Sequence, residues 1–160
     1  MVKQKEKMNI ARVNKISEFK GQVVQLNGWV YNSRRSGKIG FLMLRDGFGI
    51  IQCIVAKNDV GEGKFEEFKK LTQESSLSII GEVVENDRAP GGYEIITSDL
   101  NTHHLSADYP ISPKEHGTDF LMNHRHLWLR SKRQHSILKV RHEIIKATRD
   151  FFDNHDFTLV

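Results

Sequence analysis

One stretch, residues 23–31, constrains the fold more than any other. Val24, Leu26, Gly28 and Val30 alternate with Gln25, Asn27, Trp29 and Tyr31. That period of two turns one face of a β-strand into a core and leaves the other outside. Gly28 in the middle of this strand marks a bulge or a sharp coil, the device by which one strand serves both sides of a small barrel.

Beyond Tyr31 the chain keeps the same period for two more strands and then changes it. Residues 38–45 form a second strand, with Leu42 and Leu44 on one face and Phe41, Met43 and Arg45 on the other. Asp46-Gly47-Phe48-Gly49 is a hairpin signal, and residues 50–56 form the third strand of a meander. Over residues 62–73 the spacing of Phe65, Phe68 and Leu71 becomes helical. Residues 77–84 and 93–97 return to strands, separated by the turn-rich Arg88-Ala89-Pro90-Gly91-Gly92. Five strands with a helix between the third and fourth are the order of an OB-fold β-barrel. A small α+β sheet shares this order, but Gly28 and the long first strand favour the barrel.

The second part of the chain reads differently. Residues 105–119 hold Pro110, Pro113 and Gly117 with little periodicity, as a hinge does. Ser131-Lys132-Arg133-Gln134 fits a capping box, in which the serine accepts from a backbone N–H and the glutamine reaches back. A long helix is expected from there to about Asn154. Ile137, Val140, Ile144, Ala147 and Phe151 line one stripe, with Leu138, Ile145 and Phe152 beside it, wide enough to pack on a partner surface. Residues 157–160 read as the start of a strand.

Composition excludes several classes. Cys53 is the only cysteine among 160 residues, so an internal disulfide and a cysteine zinc cluster are ruled out, and a reducing cytoplasm suits the chain. No run reaches the ~18 apolar residues of a membrane span, and residues 1–20 lack the apolar core of a signal peptide. A net charge of +4 is too mild to name a partner. The cations gather instead in clusters: Lys3, Lys5, Lys7, Arg12, Lys15 and Lys20; Arg34, Arg35 and Lys38; and Arg125, Arg130, Lys132 and Arg133. Such clusters attract phosphate, although a lysine-rich terminus is often only solvated. His103-His104 and His124-Arg125-His126 lack a carboxylate or cysteine at ligand spacing and read as solvated or hydrogen-bonded groups rather than as a metal site. Phosphate-loop, dinucleotide and nucleophile-elbow motifs are absent.

The outward face of the meander is where chemistry gathers. Trp29, Tyr31 and Phe41 stand there with Arg34, Arg45 and Gln52. Aromatic rings beside arginine and amide groups suit single-stranded nucleic acid, whose bases stack and offer their edges. Gln52 has one acceptor and one donor to match N3–H and O4 of a uracil. The other reading of the same residues places Phe41 in the core.

The residues from Gly28-Trp29-Val30-Tyr31-Asn32-Ser33-Arg34-Arg35-Ser36-Gly37 through Lys38-Ile39-Gly40-Phe41-Leu42-Met43-Leu44-Arg45-Asp46-Gly47, continued by Ile51-Gln52-Cys53-Ile54-Val55, resemble the anticodon-binding domain of class II aminoacyl-tRNA synthetases of the aspartyl, asparaginyl and lysyl group. Tyr109-Pro110-Ile111-Ser112-Pro113-Lys114-Glu115-His116-Gly117, Phe120-Leu121-Met122 and Arg125-His126-Leu127-Trp128-Leu129-Arg130-Ser131 resemble the hinge and pre-helix segment of the asparaginyl branch. The helix ending in Phe151-Phe152 is similar to motif 1, the dimerisation element of class II catalytic domains.

The resemblance implies a domain plan: a basic extension over residues 1–20, an OB-fold anticodon-binding domain over 21–104, a hinge over 105–119, and over 120–160 the truncated start of a class II α+β catalytic domain. It implies that Phe41 stacks on the middle anticodon base, a uracil, that Gln52 reads its edge with support from Arg34, and that Glu94 contacts the first base. It places Val140, Ile144, Ile145 and Phe151 in a homodimer interface. The expected partner is a tRNA with an asparagine-type anticodon, and the expected location is the cytoplasm, away from membranes. The full-length family enzyme is an asparagine–tRNA ligase that uses ATP and Mg2+ to make asparaginyl-AMP and passes asparagine to tRNA. Motifs 2 and 3, which bind ATP and the adenylate, do not occur in this sequence, so neither catalytic residues nor a cofactor are expected on this chain alone. Asn154-His155-Asp156 stands where the group usually has a glycine; Asn and Asp tolerate the left-handed conformation that stops a helix. An aspartyl member of the group and a free-standing OB-fold nucleic-acid binder are the alternatives.

Overall fold

The computed structural model describes residues 9–112 and 114–160; Lys3, Lys5 and Lys7 of the basic N-terminal cluster and Pro113 of the hinge lie outside the described residues. The chain divides into two compact units between Tyr109 and Pro110.

In the first unit five strands close into a barrel: β1 (Val23–Ser36), β2 (Ile39–Arg45), β3 (Ile50–Ala56), β4 (Ser76–Glu85) and β5 (Tyr93–His104). Their order around the barrel is β1-β2-β3-β5-β4, and α1 (Lys57–Lys69) joins β3 to β4. This is the OB-fold arrangement expected from the strand spacing. All pairings are antiparallel except β3 with β5.

β1 closes the barrel by changing partners. Val23 to Trp29 pair with β4, and Trp29 to Ser36 pair with β2. At the crossover the Gly28 position faces the Arg45 carbonyl, and a Cβ built there meets that oxygen at 2.5 Å. Glycine is therefore required for two strands to approach this closely. The bulge itself falls at Tyr31, between Val30 and Asn32, not at Gly28. It displaces Tyr31 from the alternation that Trp29 begins. Backbone bonds from Val30 N to Ser75 O and from Glu74 N to Val30 O, both 2.8 Å, tie the segment before β4 to this point.

The inward residues of the five strands form one core. Val24, Leu26, Leu42, Leu44, Ile51, Val55, Leu77, Ile79, Ile95 and Leu100 are all buried, and each contributes about 1.5–3 kcal/mol through burial. Helix α1 closes the barrel with Phe65 and Phe68. Gly40 lets it dock, since a Cβ there would lie 2.3 Å from the Phe68 ring. The helix starts at Lys57, earlier than the sequence spacing indicates, and bends at Gly61 (φ 80°). It ends at Lys69, and Leu71 reaches the core from outside the helix.

Residues 9–20, read from sequence within a basic extension, pack against the barrel. Gln25 bonds Asn9 and Ala11 through its backbone at 2.9 Å on each side. A 3-10 helix, Val13–Phe19, then buries Ile16. Asp46 fastens this segment: one carboxylate oxygen accepts from Val13 N at 2.9 Å, while the other accepts from Phe48 N and Gly49 N and shapes the β2–β3 loop.

The second unit is helical: α2 (Thr118–Asn123), α3 (Arg125–Trp128) and α4 (Lys132–Asp153). Phe120 lies between His116 and His124, with ring centroids 4.8 and 4.3 Å away. Ser131 caps α4, its hydroxyl accepting from Gln134 N at 3.4 Å. Residues 157–160, expected to begin a strand, carry no regular secondary structure.

Candidate nucleic-acid interface

Phe41 lies between buried Gly40 and Leu42 on β2, so the alternation turns its ring outward. Gln52 lies between buried Ile51 and Cys53 on β3, and Glu94 precedes buried Ile95 on β5. Beyond the Tyr31 bulge the phase of β1 inverts, and Arg34 sits opposite Phe41. The outer face thus brings together Arg34, Phe41, Gln52 and Glu94.

Two contacts organise these four residues. The Arg34 guanidinium carbon stands 4.6 Å above the centroid of the Phe41 ring. Gln52 Nε2 donates to Glu94 Oε2 at 3.0 Å, and the two residues are direct partners in the parallel β3–β5 ladder. Phe41 pairs with Ile54, two residues beyond Gln52. Diagonal neighbours on one sheet face lie roughly 7–8 Å apart.

Met43 and Asn32 complete the row, since Asn32 pairs with Met43 and Met43 with Gln52. Alternation along β2 already puts Met43 on the Phe41 face, whereas Asn32 did not stand out in the sequence because it changes face only through the bulge. Two other residues leave the face. Arg45 turns to Glu74, pairing at 2.7 Å with a carboxylate whose side chain is only 4% exposed, and Tyr31 sits in the bulge. Trp29 is exposed, but it pairs with Arg45 and Ser76 at the opposite end of the meander.

Cys53 points away from this face into the core. Burial first, and the nearby Glu94 carboxylate second, push its thiol far above the ordinary range, so it acts as a small apolar group. His103 is hydrogen-bonded to Ser78 at 2.6 Å. Among the described residues no three His, Cys, Asp or Glu side chains come together to hold a metal, and no helix is long and apolar enough to cross a membrane.

In the second unit Val140, Ile144, Ile145 and Phe151 lie on α4 and are 50–62% exposed. Four large apolar groups on one helix leave a contiguous surface without a core to enter.

A family model of the OB-fold nucleic acid binding domain matches residues 24–102, and one of class II tRNA synthetases (D, K and N) matches residues 117–160. An asparagine–tRNA ligase from Sorangium cellulosum is 58% identical over 91% of this chain, and one from Symbiobacterium thermophilum is 49% identical over 95%. The chain belongs to the asparaginyl-tRNA synthetase family. It spans about a third of the length of these curated relatives, 33% and 35%. The crystal structure of asparaginyl-tRNA synthetase from Pyrococcus horikoshii, complexed with asparaginyl-adenylate, superimposes with a TM-score of 0.87 at 37% identity. That match covers 94% of this chain and 35% of the other. Within this family the barrel is the anticodon-binding OB-fold domain, and the helical unit lies in the part matched by the class II model.

Proposed function

We propose that this chain reads the anticodon for an asparagine–tRNA ligase, with the middle uracil held between Phe41 and Gln52. The observation that carries this reading is the outward row itself. An aromatic ring, an arginine, an amide and a carboxylate project from adjacent strands of a barrel whose inner face is apolar.

In the free protein Arg34 covers the Phe41 ring. An exposed cation–π contact is worth about 0.5–1 kcal/mol, and a base stacked on an aromatic ring about 1–3 kcal/mol. An incoming base therefore displaces the guanidinium at a net gain. Arg34 keeps its charge and moves to the backbone phosphate beside that base. Gln52 supplies an acceptor for N3–H and a donor for O4, and Glu94 lies where the neighbouring first base passes. The exposed apolar face of α4, with Val140, Ile144, Ile145 and Phe151, forms the homodimer contact of the whole enzyme.

The whole enzyme forms asparaginyl-AMP from asparagine and ATP with Mg2+ and transfers asparagine to tRNA. The motifs that bind ATP are not in this sequence, so no step of activation is derived from its residues. A cytoplasmic location fits the reduced Cys53 and a tRNA substrate. Charging assays with the protein as the cell makes it test the specificity: asparagine is attached to its tRNA, and efficient charging with aspartate instead would contradict the proposal.

A further inference from the structure

A glutamine amide is nearly symmetric in shape, and a half-turn about its last bond exchanges carbonyl and NH2. In one orientation its edge matches uracil, with Oε1 taking N3–H and an N–H reaching O4. In the other it matches cytosine, with an N–H reaching N3 and Oε1 taking the N4 amino group. A freely turning Gln52 therefore reads either base. Selectivity for uracil requires something that forbids the flip.

We infer that Glu94 forbids it: Glu94 is a positioning residue that holds the Gln52 amide in its uracil-reading orientation through the Nε2–Oε2 hydrogen bond. This rests on the proposed role of Gln52 as the reader of the middle base. A carboxylate only accepts, so it engages NH2 and not the carbonyl, and the bond at 3.0 Å is charge-assisted. Flipping the amide breaks this bond and sets Oε1 against a carboxylate oxygen. The backbone keeps the lock in place. Glu94 pairs with Gln52 on one side and with Val84 of β4 on the other, at the second position of β5 after the Gly91–Gly92 turn. Among the described residues no cation pairs with its carboxylate, which leaves the amide as its partner. Gln52 retains Oε1 and one N–H for the base.

The test is binding of the full 160-residue chain to two anticodon stem-loop RNAs, identical except for U or C at the middle anticodon base, measured by fluorescence anisotropy. The unsubstituted chain prefers U. In Glu94→Ala the preference falls by roughly 10-fold or more, largely because the C loop binds more tightly. Glu94→Gln, which keeps the shape and an acceptor but can also donate, falls between the two and controls for folding. A Glu94→Ala chain with undiminished preference for U overturns the inference. An unsubstituted chain without preference overturns the Gln52 reading itself, so the two failures are told apart.

Discussion

At the scale of single residues, Phe41 carries the energetic weight of the proposed interface. Its ring is held outward by the alternation of β2 and is only partly covered, by Arg34. Phe41→Ala is expected to weaken anticodon stem-loop binding by about 1–3 kcal/mol and to leave thermal unfolding nearly unchanged, as titration and a melt of the same variant will show. The outward placement of Phe41 and Gln52 was legible in the sequence because β2 and β3 alternate without interruption. Tyr31 was not, since one extra residue in a strand inverts the phase of everything after it. Nor was Arg45, whose departure depends on a buried Glu74 that the chain places 29 residues away. Alternation shows which face a side chain takes, whereas an ion pair across the barrel depends on closure.

At the scale of elements, close approach and polar clamps set the stability of the barrel. Gly28→Ala places a Cβ against a backbone oxygen at 2.5 Å that has no rotamer by which to yield. Overpacking of this kind costs about 1–3 kcal/mol, read as a lower midpoint in urea with unchanged slope. Glu67 clamps α1 to β5: it accepts from Thr102 N at 2.7 Å and pairs with Lys64 at 3.3 Å. Burial pushes its carboxyl upward, but hydrogen bonding to Thr102 and the pairing with Lys64 outweigh this and hold it below the usual carboxylate range. A depressed folded-state value means that the stabilisation is complete above the ordinary glutamate range and is lost as pH falls through the lower, folded value. Glu67→Gln should therefore destabilise by about 1 kcal/mol near neutrality, with the difference from the parent shrinking as acid is added. Chemical denaturation at neutral and acidic pH measures both. The order of elements was legible, but their lengths were not. The polar end of β1 and the second half of β5 are strands because a ladder holds them, not because they alternate. Residues 9–20 offer only Ala11 and Ile16 as buried anchors, too few to reveal a segment packed on the barrel.

At the scale of the whole molecule, the proposal gives the outward row of the barrel an RNA partner and the exposed apolar face of α4 a second copy of the chain. Ile144 is 62% exposed on α4. If this face joins two copies in the whole enzyme, Ile144→Asp shifts the sedimenting species from dimer to monomer in ultracentrifugation; a variant that stays dimeric places the contact elsewhere. The barrel's role is tested most directly by one comparison. Anticodon stem-loops with U or C at the middle base are titrated with the unsubstituted chain at fixed salt, because phosphate contacts make affinity depend on ionic strength. Tighter binding to the U loop, by about tenfold or more from the mismatched edge of Gln52, is the predicted result, and equal affinity for the two loops would contradict the account.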